Sequence, residues 1–264
     1  MKQYLQLSIL SGALLLAACS PQTNGGHSLN SGNEPNAMQH GAQLGKKGDR
    51  NLTVTQETPT TPNELAFSIH EDGAIFSDYG ISHTKEMHFI VVRDDLQHFQ
   101  HLHPTRDAQG VWHVDFKPEA GGHYWLYADF VDSKKDTYTL RYEQDFPGAK
   151  GQYGTTKNFE KVKNVDGYRI ELQPAVAGAE TSFNYRITDA QENLVQVEPY
   201  LGARGHSVII SPSADFIHAH ASDEGELPVF ITSLPSGFYR MFTQFQIKGK
   251  VITVDFDWFA GESH

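Results

Sequence analysis

The chain has 264 residues, 39 % hydrophobic and 11 % aromatic, which exceeds one ordinary domain and is enough for real cores. A formal charge of −11 argues against nucleic acid as a partner, because its phosphates would be repelled. With Cys19 as the single cysteine no intramolecular disulfide can form, while histidine is unusually plentiful at 14 residues.

At the start, Lys2 precedes an apolar run from Leu5 to Leu16. The run is too short for a membrane span and ends in small residues, so residues 1–18 read as an export signal. Leu16-Ala17-Ala18-Cys19 resembles the lipobox of bacterial lipoproteins. That resemblance implies cleavage before Cys19, lipidation of its sulfur, and an extracytoplasmic protein held to the cell envelope. Ser20 resembles the variant that sorts to the outer membrane. An ordinary signal peptide with a chance cysteine is the plainer alternative. Residues 19–49, rich in Asn, Gly, Ser and Gln, cannot supply a core and read as a flexible tether. A chain of that length reaches roughly 30 Å.

Beyond the tether the chain repeats itself. One constant shift sets Leu52 and Val54 on Ile170 and Leu172, then Leu65, Phe67 and Ile69 on Phe183, Tyr185 and Ile187. The same shift sets His88 on His206. With one residue lost between them, His101 and His103 meet His218 and His220. Further on, Gly122, Tyr124 and Phe130 meet Gly237, Tyr239 and Phe245. Two copies of one domain follow, at 50–143 and 167–262, joined by a connector at 144–166 whose Phe146, Tyr153 and Phe159 are expected to pack on a domain. Each copy holds about seven short strands separated by turn residues, which predicts an all-β fold of two tandem immunoglobulin-like β-sandwiches.

Each copy carries a β-branched run opened by histidine, a polar break, and Phe-x-His-x-His. Residues two apart in a strand share a face, so Phe99, His101 and His103 point one way, as do Phe216, His218 and His220. The break makes each copy a hairpin, with His88 opposite His101 or His103 and His206 opposite His218 or His220. Directly opposed Cβ atoms lie about 4.5–5.5 Å apart. Two imidazole triads are therefore expected, His88/His101/His103 and His206/His218/His220, each at the open end of its own hairpin. His206, Val208 and Ile210 are more apolar than Ser207, Ile209 and Ser211, which places the histidine on the side of the sandwich core.

Histidines at the edge of a core can simply donate to backbone carbonyls, but buried imidazoles each need a partner, and a cation satisfies three lone pairs at once. A triad kept in both copies favours ligation. All-imidazole sites suit copper, with zinc as the alternative. Met87 points away from His88 and reads as core; His98 reads as exposed; His83, His113 and His123, unmatched in the second copy, read as surface or packing. Arg93, Asp94 and Arg204 read as solvated charges, and Asp94, Asp95 and Asp215 as turn formers. A metal-dependent hydrolase or cupin-like oxygenase is a rival, since three histidines with an open position can activate water. No Glu stands at matching positions behind both His-x-His pairs, which argues against an enzyme. A structural or adhesive surface module with incidental metal binding is the other rival.

The stretches Met87-His88 … Asp94-Asp95-Leu96-x-x-Phe99-x-His101-x-His103-Pro104 and Tyr200-Leu201-Gly202-Ala203-x-Gly205-His206 … Phe216-x-His218-Ala219-His220 resemble the YtkA-like β-sandwich domains of bacterial exported proteins. Those proteins are often linked with copper and heavy-metal handling. The resemblance implies metal binding or metal delivery outside the cytoplasm, with another envelope metal-handling protein as the partner. Ala221 follows the second His-x-His where many relatives have proline.

Overall fold

The structure is a computed structural model that describes residues 47–148 and 157–261. The expected export signal, Cys19, nearly all of the tether and Tyr153 lie outside the described residues.

No helix forms among the described residues. The first repeat comprises β1 (Leu52–Gln56), β2 (Glu64–Glu71), β3 (Ala74–Ile75), β4 (His88–Arg93) and β5 (Phe99–Leu102). It continues through β6 (Thr105–Arg106), β7 (Val111–Asp115), β8 (Gly122–Val131) and β9 (Thr137–Phe146). The second comprises β10 (Val162–Val165), β11 (Tyr168–Ala177), β12 (Glu180–Thr188) and β13 (His206–Ile210). It closes with β14 (Phe216–His220), β15 (Val229–Ser233), β16 (Gly237–Ile247) and β17 (Lys250–Ala260). Both ends of the expected connector are thus strand: β9 runs on to Phe146, whose ring packs on Phe116 and Tyr124, and β10 begins at Val162.

Each repeat is an antiparallel sandwich of immunoglobulin-like type. In the first, the sheet β1-β2-β7-β6, with β3 beside β2, faces the sheet β5-β4-β8-β9. In the second, β10-β11-β12-β15 faces β14-β13-β16-β17. Between the sheets of the first lie Phe67, Ile69, Met87, Phe89, Val91 and Leu126; between those of the second lie Phe183, Tyr185, Ile209, Met241 and Phe245. Gly205, the counterpart of Met87, leaves room for an aromatic ring, since a Cβ there would come within 2.9 Å of Phe245.

The faces of β13 lie the other way round from the sequence reading, whereas Met87 of the first repeat is core as expected. Phe89 and Val91, like Ile209, fill the sandwich cores, and Ser207 points inward to bond Thr243 (2.9 Å). The opposite face carries His88, Ile90 and Val92 in β4, and His206, Val208 and Ile210 in β13. The apolar members of both sets meet in a third core, which joins the two domains. Leu96, Trp125, Tyr127, Phe216, Phe238 and Phe242 belong to it as well. Phe99 stacks on Phe242 with centroids 4.4 Å apart and planes 2° apart, and Tyr127 stacks on Phe216 at 4.5 Å and 18°. The result is four sheets in series with three apolar layers between them.

Polar bonds fix the register of this third layer. The Tyr127 hydroxyl donates to the Ala214 carbonyl (3.0 Å), and Arg240 Nη1 donates to the Leu96 carbonyl (2.9 Å). Leu96 and Ala214 hold equivalent left-handed positions in the two hairpin turns, with φ of 61° and 64°. Arg240 is held by Asp257 through two further bonds of 2.7 and 2.9 Å. Arg93, expected in solvent, is also buried, because Asp95 grips its guanidinium at 2.8 and 2.6 Å.

Truncating Phe242 to alanine would open the inter-domain layer without touching a histidine, so a loss of about 3–5 kcal/mol in chemical denaturation is expected. A loss below about 1 kcal/mol would show that this layer is not a true core.

Candidate metal centre

The register of the two hairpins decides where the imidazoles stand. Ile90 pairs with His101 in β4–β5, which brings His103 level with His88 beyond the end of β5. In β13–β14, His206 pairs with His220 and Val208 with His218. Because Phe99 and Phe216 face the inter-domain layer, so do the histidines two and four residues on. The expected triads therefore do not sit at two separate hairpin ends. All six histidines open into one chamber at the rim of the third core, where His88 lies 6.0 Å from His206 and 5.1 Å from His218 between ring centroids.

A ring of hydrogen bonds sets the tautomers. His88 Nε2 lies 3.1 Å from the Ser82 carbonyl, and His206 Nε2 lies 2.8 Å from the Tyr200 carbonyl. A carbonyl only accepts, so each Nε2 carries the proton and each Nδ1 offers a lone pair. His101 and His218 are held crosswise by the other domain. His101 Nδ1 donates to Gln244 Oε1 (3.0 Å), whose own Nε2 donates to Thr253 Oγ1 (3.1 Å). His218 Nδ1 donates to Asp129 Oδ2 (2.9 Å), whose Oδ1 accepts from Thr139 (2.7 Å). Gln244 and Asp129 stand at matching positions, opposite His206 and His88 in their sheets. This is how metal-binding histidines are commonly oriented: one ring nitrogen donates outward and the other is presented to the ion.

The inward nitrogens lack partners. His103 Nε2, His206 Nδ1, His218 Nε2 and both ring nitrogens of His220 are buried without a hydrogen bond. His88 Nδ1 and His101 Nε2 stand 3.0 Å apart, and the outward bonds leave each without a proton. Two facing lone pairs repel unless a proton or a cation lies between them. Two metal–nitrogen bonds of about 2.0–2.1 Å at an ordinary angle span about 2.8–3.4 Å, so an ion fits the separation. A proton fits poorly, because burial and then the neighbouring imidazoles His218 and His88 hold His101 well below the usual histidine range.

Two groups bring three ligand nitrogens within 4.8 Å of one another: His88/His101/His103, and His83/His206/His220. The first matches the expected triad. In the second His83 stands where His218 was expected, although the repeat comparison sets His83 aside. His218 lies between the groups, its ring 5.1 Å from His101 and 4.6 Å from His220. The only hint of His83 in the sequence is its place just ahead of His88. His98, His113 and His123 belong to neither group; each faces carboxylates, Glu119 (2.8 Å), Glu64 and Asp107 (both 3.2 Å), and Asp145 (2.9 Å) with Glu143 (3.3 Å).

Burial keeps the chamber neutral. Desolvation pushes His103 down to about 3 and His206 to about 2, and lowers His83, His88, His218 and His220 as well. The unfolded chain takes up these protons near pH 6.5 while the fold does not, so their contribution to stability is present above that pH and lost on acidification. The melting temperature of the metal-free protein is expected to fall steadily from about pH 6.5 down toward about pH 3, and to fall less in a His103→Gln, His206→Gln variant. Identical pH profiles for the two proteins would contradict the burial of neutral imidazoles.

A family model described as Domain of unknown function (DUF8832) matches residues 46–145 and again 163–261. No curated protein is significantly similar to the chain. Among solved structures, it is similar to the tetra-tandem repeat in the extending region of a large adhesion protein, at 11 % identity and a TM-score of 0.27. That likeness covers 79 % of this chain and 48 % of the other, so the chain spans about half the length of that structure. It is also similar to a two-domain fibronectin type-III segment of chicken tenascin, at 8 % identity and a TM-score of 0.22, over 80 % of this chain and all of that one. Parabacteroides merdae beta-glucuronidase is similar at 9 % identity and a TM-score of 0.22, over 80 % of this chain and 24 % of the enzyme. These scores are too low to bear on function. The family match spans most of the chain, and the protein belongs to the DUF8832 family, carrying its domain twice.

Proposed function

We propose that the protein binds transition-metal ions in the imidazole chamber between its two sandwiches, copper first and zinc second, for capture, storage or delivery in the cell envelope. The observation that carries this reading is a set of five ring nitrogens, on His103, His206, His218 and His220, that are buried without partners where the two domains meet. Leaving a buried polar group unsatisfied costs about 1–3 kcal/mol, and an ion removes several such costs together. Because burial already keeps the rings neutral, an incoming ion has few protons to displace. Copper is placed ahead of zinc by the general affinity order of nitrogen sites for divalent ions.

Binding is favoured over turnover. Asp129, the carboxylate beside the chamber, is engaged by His218 and Thr139 and so orients a ring rather than standing ready as a base. The resemblance to YtkA-like domains supports a metal-handling role, and a further envelope protein is the natural acceptor of the ion. The lipobox-like segment ending at Cys19 and the tether to residue 49 support anchoring to the outer membrane, with the chamber held off the lipid surface.

Replacing His101 and His103 together by alanine is expected to remove one equivalent of bound copper per chain, measured by equilibrium dialysis and elemental analysis. Unchanged stoichiometry would reject the first triad as a site. Wild-type protein that takes up no copper or zinc, and melts identically with and without them, would leave a structural or adhesive module.

A further inference from the structure

Six histidines of the chamber obey the duplication and one does not. His88 matches His206, His101 matches His218, and His103 matches His220, whereas the counterpart of His83 is Leu201. The two turns that carry these residues are built alike. Ser82 and Lys85 exchange backbone bonds of 2.9 and 3.0 Å, and Tyr200 and Ala203 exchange bonds of 2.8 and 3.1 Å. His83 and Leu201 are both left-handed, at φ 46° and 51°. The turns face each other across the domain boundary, since a Cβ placed on Gly202 would lie 3.6 Å from Thr84 Cγ2.

From this turn the His83 ring crosses to the second domain. It stacks on His220, with centroids 3.5 Å apart and planes 17° apart, and stands edge-on to His206 at 5.5 Å and 86°. His206 Nδ1 and both nitrogens of His220 are buried without partners. The ligand nitrogens of the three rings lie within 4.8 Å of one another.

We infer that a second metal site straddles the domain boundary, formed by His83 of the first domain with His206 and His220 of the second once the His83 ring turns out of its stack on His220, and that loading it clamps the two domains together. This rests on the reading that the chamber takes metal. The two sites are unequal: the first draws all three ligands from one hairpin, while the second exists only when both domains are docked. The ligand class is a divalent ion that accepts imidazole nitrogen, Cu²⁺ or Zn²⁺.

The test is Cu²⁺ titration of the full chain, with bound metal counted after dialysis, for the wild type, His83→Leu and His83→Gln. His83→Leu installs the residue that the second repeat carries at this turn position, and His83→Gln keeps a polar side chain there should the first variant fold poorly. Two equivalents are expected in the wild type and one in each variant. The clamp is read separately in a His101→Ala, His103→Ala background. There one equivalent of Cu²⁺ is expected to slow amide exchange in both β4 and β13, and adding His83→Leu is expected to abolish the effect. Two equivalents retained in the His83 variants would overturn the assignment while leaving metal binding intact. Slower exchange confined to the second domain would overturn the clamp. A wild type that binds no Cu²⁺ would overturn the underlying reading instead.

Discussion

Everything in this molecule depends on β4 and β13 being buried on both faces. A sandwich strand ordinarily shows one face to its core and one to water, which yields alternating apolar and polar residues. Every residue of β4 and of β13 is buried here, because the outer faces of their sheets pack against each other. That apolar layer removes water from the ends of the two hairpins. It also brings together imidazoles that lie more than a hundred residues apart in sequence. A histidine cluster on an open sheet face would be hydrated and would titrate normally. The same cluster at the rim of a dry layer is neutral and short of hydrogen-bond partners.

The polar contacts around the chamber show how two copies of one domain become interdependent. Each supplies the group that orients a ring of the other: Gln244 holds His101, and Asp129 holds His218. The side-chain bonds from Tyr127 to the Ala214 carbonyl and from Arg240 to the Leu96 carbonyl cross the boundary as well. The duplication has nonetheless drifted from symmetry. An amide supports one ring and a carboxylate its counterpart, and burial pushes the Asp129 carboxyl up from its ordinary range. A carboxylate behind an imidazole makes it a more basic ligand than an amide does. The two halves of the chamber therefore present different donors to an ion, and His83, with no imidazole counterpart, widens the difference.

Much of this was legible in the sequence, and the limits have physical causes. The repeat, the hairpins and the shared face of Phe-x-His-x-His follow from strand periodicity, which depends on local geometry alone. The direction of that face does not. Phe89 and Val91 are as apolar as Ile90 and Val92, so the pattern of β4 fits either side as the core, and the presence of a second sandwich decides between them. Arg93 looks like a solvated turn charge until Asp95 closes on it two residues later. His83 has no imidazole counterpart, since Leu201 stands at its place in the second repeat, so the duplication does not single it out. A ring placed by a left-handed turn and directed across a domain boundary leaves no periodic trace.

The central claim is that one chamber between the two sandwiches, rather than any surface histidine, holds the ion. Diffraction from crystals of the copper-loaded chain, recorded at the copper absorption edge, tests it most directly. Anomalous peaks are expected between the β4–β5 and β13–β14 hairpins, within bonding distance of His88, His101 and His103 and of His206 and His220. Peaks confined to the half-buried carboxylate-paired histidines, His98, His113 and His123, with none in the chamber, would contradict the account.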